Sequence, residues 1–222
     1  MSEIPSGTVD VANLDYLSLT TTFVESFCNG KEMGQGSGFF FLHNTNLFLV
    51  TNWHVLSGCD SFTGQPLHSS CFTPDAIKIA IYRDMGNYHA QWDVNLKLNN
   101  EDGSCKWLQH GILGQHLDVA ALKLDLLPTF SPRTFVDRAF VERDMAVLAG
   151  SEVFVLGYPL GLTKQQKLPV WKRASIASEP ALNIDLGPAI LIDSATKKGM
   201  SGAPVFAVSR GTFVSQSRET FV

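Results

Sequence analysis

Short β-prone runs, each closed by a cluster of turn-forming residues, constrain this chain more than any other feature. Residues 22–28, 36–42 and 47–51 are the first such runs, with Asn44-Thr-Asn46 as a hairpin turn between the last two. Residues 76–82, the alternating stretch 90–98 and residues 119–124 follow, separated by turn chemistry such as the Asn/Asp/Gly/Ser cluster at 99–104. Residues 127–133 carry Pro128 and Pro132 and read as a connector. Beyond it, residues 138–149 leave room for a helical turn or two. Strand candidates then resume at 152–156, 172–177, 189–192, 203–208 and 212–214, with a turn at 209–211 before the last. Such a series specifies an all-β barrel or sandwich and argues against a βαβ fold. No internal repeat, heptad or low-complexity tract interrupts it.

Composition removes several classes. The 222 residues suffice to bury a sizeable core, and 45% apolar with 10% aromatic content is that of a globular chain. A net charge of −4 gives no electrostatic reason for a nucleic-acid or anionic-membrane partner. No apolar run is long enough to span a bilayer, and residues 1–7 lack the basic and apolar regions of a secretory signal. Cys28, Cys59, Cys71 and Cys105 are irregularly spaced with no Cys-x-x-Cys pair, a poor pattern for zinc. Reduced thiols and a cytoplasmic location are the corresponding expectations.

Three segments carry chemistry: Leu49-Val-Thr-Asn-Trp-His54, His116-Leu-Asp118-Val-Ala-Ala-Leu, and Gly199-Met-Ser201-Gly-Ala-Pro204. A serine hydroxyl is a weak nucleophile at neutral pH until a neighbouring base takes its proton, and an imidazole does so when a carboxylate fixes its tautomer. The order His, Asp, Ser is that of the chymotrypsin arrangement and differs from the orders in subtilisin and the α/β-hydrolases. Each residue also has a bland reading: His54 as a core histidine, Asp118 as a turn residue, Ser201 as part of a tight turn. The ordered occurrence of all three favours nucleophilic catalysis. His43, His68, His89, His110 and His116 read as surface or loop residues, with His116 on the same face as Asp118 if that stretch is a regular strand. Asp193 is expected to anchor the nucleophile loop by hydrogen bonding.

Together the segments resemble the trypsin-like (chymotrypsin-fold) serine peptidases, closest to the bacterial HtrA-type branch. Gly36-Ser-Gly-Phe39 and Leu49-Val-Thr-Asn-Trp-His-Val55 are similar to its Gly-Ser-Gly-Phe and Leu-Thr-Asn-x-His-Val motifs. Leu117-Asp-Val-Ala-Ala-Leu-Lys-Leu124, Gly157-Tyr-Pro-Leu-Gly161 and residues 193–204 resemble its Asp-x-Ala-x-Leu-Lys strand, Gly-x-Pro-x-Gly turn and nucleophile loop. The likeness runs from about Gly36 to about Val214. It departs at Val55, where secreted trypsins carry a disulfide cysteine, at Met200 and Ala203 in the nucleophile loop, and in a longer spacing between His54 and Asp118. Few residues follow Ser201, so the second barrel is expected to be incomplete here, as in a fragment of a longer protein, the favoured account, or in a barrel that a partner segment completes.

The resemblance implies two packed antiparallel β-barrels with the site in the cleft between them. Residues 1–21 would form an N-terminal extension, 22–130 the first barrel with His54 and Asp118, and 131–222 the second with Ser201. It implies peptide-bond hydrolysis through an acyl-enzyme, with an oxyanion hole made by the backbone N–H groups of Gly199 and Ser201. That chemistry requires no metal or organic cofactor. By the same carry-over Ala195, Lys198, Phe213, Val214 and Ser215 would line the substrate pocket, Ala195 at its base offering no charge. The partner implied is a polypeptide substrate, with control by a regulatory protein or an appended domain. The rival reading is a catalytically silent module that holds a peptide by strand addition.

Overall fold

The computed structural model describes residues 8–10, 14–68, 73–84, 88–125, 133–136, 145–163, 165–184, 187–195, 197–208, 213–214 and 220–221. Its first part contains β1 (Thr8–Asp10), α1 (Tyr16–Thr20), β2 (Thr21–Cys28), β3 (Lys31–His43), β4 (Asn46–Thr51), α2 (Trp53–Ser57), β5 (Ala76–Asp84), β6 (Tyr88–Lys97), β7 (Trp107–Gln109) and β8 (Ala120–Lys123). The strands make one antiparallel sheet in the order β1-β6-β5-β2-β3-β4-β8-β7, to which β9 (Phe135–Val136) adds parallel to β3. The second part contains β10 (Glu152–Gly157), β11 (Val170–Ile176), β12 (Ile192–Asp193) and β13 (Val205–Phe206), ordered β12-β11-β10-β13. A separate pair joins β14 (Phe213–Val214) to β15 (Thr220–Phe221).

Period-two patterning decides which face each strand buries. Ile77, Ile79 and Ile81 of β5 alternate into a core with Val24, Phe40, Leu49, Leu56 and Leu122. Burying each such side chain contributes about 1.5–3 kcal/mol before the entropy of ordering it. Of the consecutive Phe39, Phe40 and Phe41, Phe40 is the buried one. A second core gathers Val153, Val155, Ala174 and Ile176 with Met200. Met200 therefore plugs the nucleophile loop into the second core.

The molecule is mostly β with antiparallel sheets, as the sequence indicates. Some details differ. The hydrogen-bond ladder of the first sheet runs from β1 to β7 without closing among the described residues. β1 lies in the segment expected as an extension, yet pairs with β6, and β9 lies beyond the expected boundary at 130, yet pairs with β3. Both are backbone pairings that local patterning does not encode. Most of the connector and of residues 138–149 fall outside the described residues, as does Cys71. Cys28, Cys59 and Cys105 are free thiols. Among the described residues no helix is long and apolar enough to cross a membrane.

Polar and aromatic contacts stitch the two parts together. Trp171 Nε1 donates to Ser18 Oγ at 2.8 Å, and Lys167 pairs with Asp93. Tyr158 is fully buried with its ring 5.5 Å from that of Phe23, and its hydroxyl donates to the Lys167 carbonyl at 2.8 Å.

Candidate active site

His54 sits on α2, a short helix entered directly from β4. Gly58 stops the helix in the left-handed conformation at φ 69°, its N–H returning to the His54 carbonyl at 3.0 Å. Trp53, Val55 and Leu56 turn into the core, which leaves the imidazole facing out of it with about a quarter of its side chain exposed. Asp118 ends a 3-10 turn formed by Gln115–Leu117 and is itself left-handed, at φ 52°. Aspartate tolerates this conformation better than most residues. The turn replaces the regular strand on which His116 was expected to share a face with Asp118. His116 instead sets its ring against Phe62, 6.3 Å between centroids.

The Asp118 carboxylate meets His54 at two places. His54 Nδ1 lies 2.8 Å from Oδ2 and 3.1 Å from Oδ1, and the His54 backbone N–H donates to Oδ1 at 3.0 Å. An ionised carboxylate only accepts, so Nδ1 carries the proton and Nε2 presents a lone pair. The pair is thus a base with its tautomer set.

The nucleophile loop is held by its carbonyls. Lys197 O accepts from Met200 N–H (3.1 Å), Lys198 O from Leu160 N–H (2.7 Å), Met200 O from Ala203 N–H (2.9 Å) and Ser201 O from Ser37 N–H (2.7 Å). Gly199 O accepts from Ser37 Oγ at 2.7 Å. Gly202 N–H donates to Asn52 Oδ1 at 2.5 Å. In a trans peptide the C=O and N–H point in opposite directions. Pinning Lys198 O outward on Leu160 and Met200 O on Ala203 therefore turns the N–H groups of Gly199 and Ser201 the other way. Gly199 has φ 92°, and a Cβ there would run into the Tyr158 carbonyl, so no other residue fits without displacement. Gly36 leaves little room for a side chain, since a Cβ would lie 3.0 Å from both the Ser201 carbonyl and the Val55 side chain.

Lys198, Gly199 and Ser201 share a cleft of about 410 Å³ with Glu32, Met33, Gly34 and Gln35. An adjoining pocket of about 160 Å³ has His54, Val55, Leu67, His68 and Pro74 in its wall together with the same Met33-Gly-Gln35 stretch. The N-terminal end of β3 thus runs past both the imidazole and the serine. Among the described residues no hydrogen bond links Ser201 Oγ to His54. Of the residues expected to line a substrate pocket, Lys198 is in the cleft, whereas Ala195 is exposed and lines neither cavity. Phe213 and Val214 are seen as backbone in β14, and Ser215 lies outside the described residues. Asp193 is exposed on β12, and the loop takes its anchors from Ser37 and Asn52 instead. Among the described residues no group of three or more His, Cys, Asp or Glu side chains could hold a metal ion.

Sequence reasoning missed Ser37, Asn52 and Leu160. Ser37 and Asn52 stood inside motifs already singled out, but their hydrogen-bond partners are distant in sequence, so nothing local revealed what they hold.

The family model for the trypsin-like peptidase domain matches residues 36–215. No curated protein matches the sequence. Among solved structures the chain is similar to a serine endoprotease from Yersinia pestis, with 14% identity and a TM-score of 0.48 over 87% of this chain and 54% of that one. It is also similar to the thermostable serine protease AL20 from an extremophilic microorganism, with 14% identity and a TM-score of 0.52 over 90% of this chain and 86% of that one. The chain therefore spans about half the length of the first, 54%, and most of the second, 86%. At this identity the second likeness is one of fold.

Proposed function

The chain belongs to the trypsin-like peptidase domain family, and from that membership we propose that it is a serine endopeptidase using Ser201, His54 and Asp118. Ser201 Oγ attacks the scissile carbonyl carbon while His54 Nε2 takes its proton. The negative charge that develops on the carbonyl oxygen is met by the N–H groups of Gly199 and Ser201. Collapse breaks the C–N bond, and His54 returns the proton to the leaving amine. Water, deprotonated by the same imidazole, then hydrolyses the acyl-enzyme. Asp118 holds the ring and stabilises the imidazolium without taking the proton.

The observation that carries this reading is the His54–Asp118 pair, with Nδ1 2.8 Å from Oδ2, beside a loop whose carbonyls from Lys197 to Ser201 are engaged elsewhere. The remaining leg, from Ser201 to His54, is expected to close on substrate, since catalytic hydrogen bonds are often long in the free enzyme and tighten in the complex. The substrate is a polypeptide. The family motif in this chain carries no charge at Ala195, so the enzyme is expected to prefer an apolar or small residue before the cut, which requires Ala195, exposed here and outside both cavities, to face that residue once substrate binds. A fluorogenic peptide panel tests this, and clear superiority of Arg or Lys substrates would overturn it. A cytoplasmic location and control by a partner or an appended domain are part of the same proposal.

A fluorophosphonate probe tests the activity itself. The expected result is labelling of the wild type at Ser201, with none in Ser201→Ala and a loss of several orders of magnitude in rate in His54→Ala. Absence of labelling in a folded wild-type protein that still binds peptides would instead establish the silent module, which the open Ser201–His54 leg favours.

A further inference from the structure

We propose that Ser37 is the positioning residue that keeps the oxyanion hole formed, an inference that rests on the peptidase reading above. Ser37 is on β3, has no exposed surface and lies in the other half of the molecule from the nucleophile loop. All three of its polar groups are used on elements that border the loop. Its N–H donates to Ser201 O at 2.7 Å, and its hydroxyl donates to Gly199 O at 2.7 Å while accepting the Tyr158 N–H at 3.1 Å. Its own carbonyl accepts from Thr51 Oγ1 at 2.7 Å, which ties the residue to the end of β4 just ahead of α2.

The hydroxyl acts where the loop is weakest. Gly199 carries one of the two hole donors and, as glycine, has little intrinsic barrier against rotation of its peptides. A flip of the peptide between Lys198 and Gly199 would swing a carbonyl into the place of the N–H and abolish the hole. Leu160 N–H opposes the flip directly by holding the Lys198 carbonyl, and Ser37 Oγ holds the carbonyl of the next peptide, Gly199–Met200, which fixes the far side of the glycine. Because the Ser37 hydroxyl also holds the Tyr158 N–H, it links the loop to the Tyr158–Gly161 turn that supplies Leu160. Removing it loosens both clamps together, although Ser37 touches neither substrate nor the attacking oxygen. A substrate-binding or folding role alone would not couple it to the Gly199 peptide.

Removing Ser37 Oγ should therefore weaken transition-state binding and leave ground-state binding nearly unchanged. In Ser37→Ala, kcat for a peptide substrate is expected to fall about 10²–10³-fold, the loss typical of one missing oxyanion donor. KM should stay within about threefold, the split expected when an interaction made only in the transition state is lost. The affinity for a peptidyl trifluoromethyl ketone should fall in parallel with kcat. Ser37→Cys keeps the shape with a weak donor and should fold while losing activity to an intermediate degree. Amide NMR supplies a readout independent of turnover: the Gly199 resonance should be single and sharp in the wild type and exchange-broadened or displaced in both variants. An unchanged Gly199 amide in the variants, or a fall in kcat/KM due to KM alone, would overturn the proposal. Failure of the wild type to react with fluorophosphonate would sink the peptidase reading, while the NMR comparison would still decide the role of Ser37.

Discussion

At the scale of single residues, small changes in covalent structure decide whether the loop can work. Asp118→Asn preserves size but puts an amide donor where Nδ1–H needs an acceptor, and the imidazole then holds the wrong tautomer. A loss of about 10⁴-fold in kcat is expected with little change in thermal stability, and a steady-state assay paired with a melting curve checks it. Gly199→Ala forces a side chain into a left-handed conformation that costs roughly 1–2 kcal/mol, and its Cβ meets the Tyr158 carbonyl. It should abolish most of the activity while the fluorophosphonate reaction, which needs the same hole, slows in proportion. Labelling at the wild-type rate would contradict this. The His54–Asp118 pair that the structure brings together was legible in the sequence through residue type and order, as was the candidate nucleophile Ser201, while Gly199 stood out through the family resemblance. Ser37 and Asn52 were not, because serine and asparagine are ordinary in turns and become specific only through partners far along the chain.

At the scale of elements, the junction between β4 and α2 does two jobs. Asn52 occupies the N-cap of α2 but makes no capping bond with its side chain. Its amide instead spans the site, Nδ2 donating to Asp118 O at 2.6 Å and Oδ1 accepting from Gly202 N–H. Asn52→Asp keeps the acceptor and loses the donor, opposing a charge to the Asp118 carbonyl. It should lower kcat by roughly 10-fold or more, at the about 1–3 kcal/mol cost of leaving an acceptor without its donor, and equal rates in the two proteins would refute the bridge. The turn after α2 should show a pH dependence whose sign follows from its hydrogen bonds. Backbone and hydroxyl hydrogen bonds from Thr63, with a further one from Phe62 N–H, hold the Asp60 carboxyl below its usual range. A carboxylate with a depressed pKa contributes its stabilisation above the unfolded value and loses it as pH falls through the lower folded value. The 60–65 turn should therefore persist through mild acid and loosen only at lower pH, whereas Asp60→Asn should remove that dependence. Amide exchange at Thr63 against pH checks both. The elements themselves were largely legible: β2 to β6, β8, β10 and β11 follow β-branched and aromatic runs. The two short helices, β7 and the pairings of β1 and β9 were not, since a few residues of either structure carry no period of their own.

At the scale of the whole molecule, the site exists only while the two sheets stay docked. Trp171 Nε1 to Ser18 Oγ is one such tie. Ser18→Ala should cost about 1 kcal/mol and lower Tm by about 2–4 °C for a chain of this size, with kcat and KM unchanged. A drop in kcat without a drop in Tm would mean that docking is transmitted to the site in another way.

The sequence by itself determined the chemistry that is possible here: a histidine, an aspartate and a serine in one order, set on short strands whose apolar faces must be buried. It did so because patterning and residue type act locally. The tertiary structure alone decided the directions of the peptides at Gly199 and Ser201. Those directions depend on Leu160, within the second part, and on Ser37 and Asn52, whose bonds to the loop form only after the two sheets have packed together.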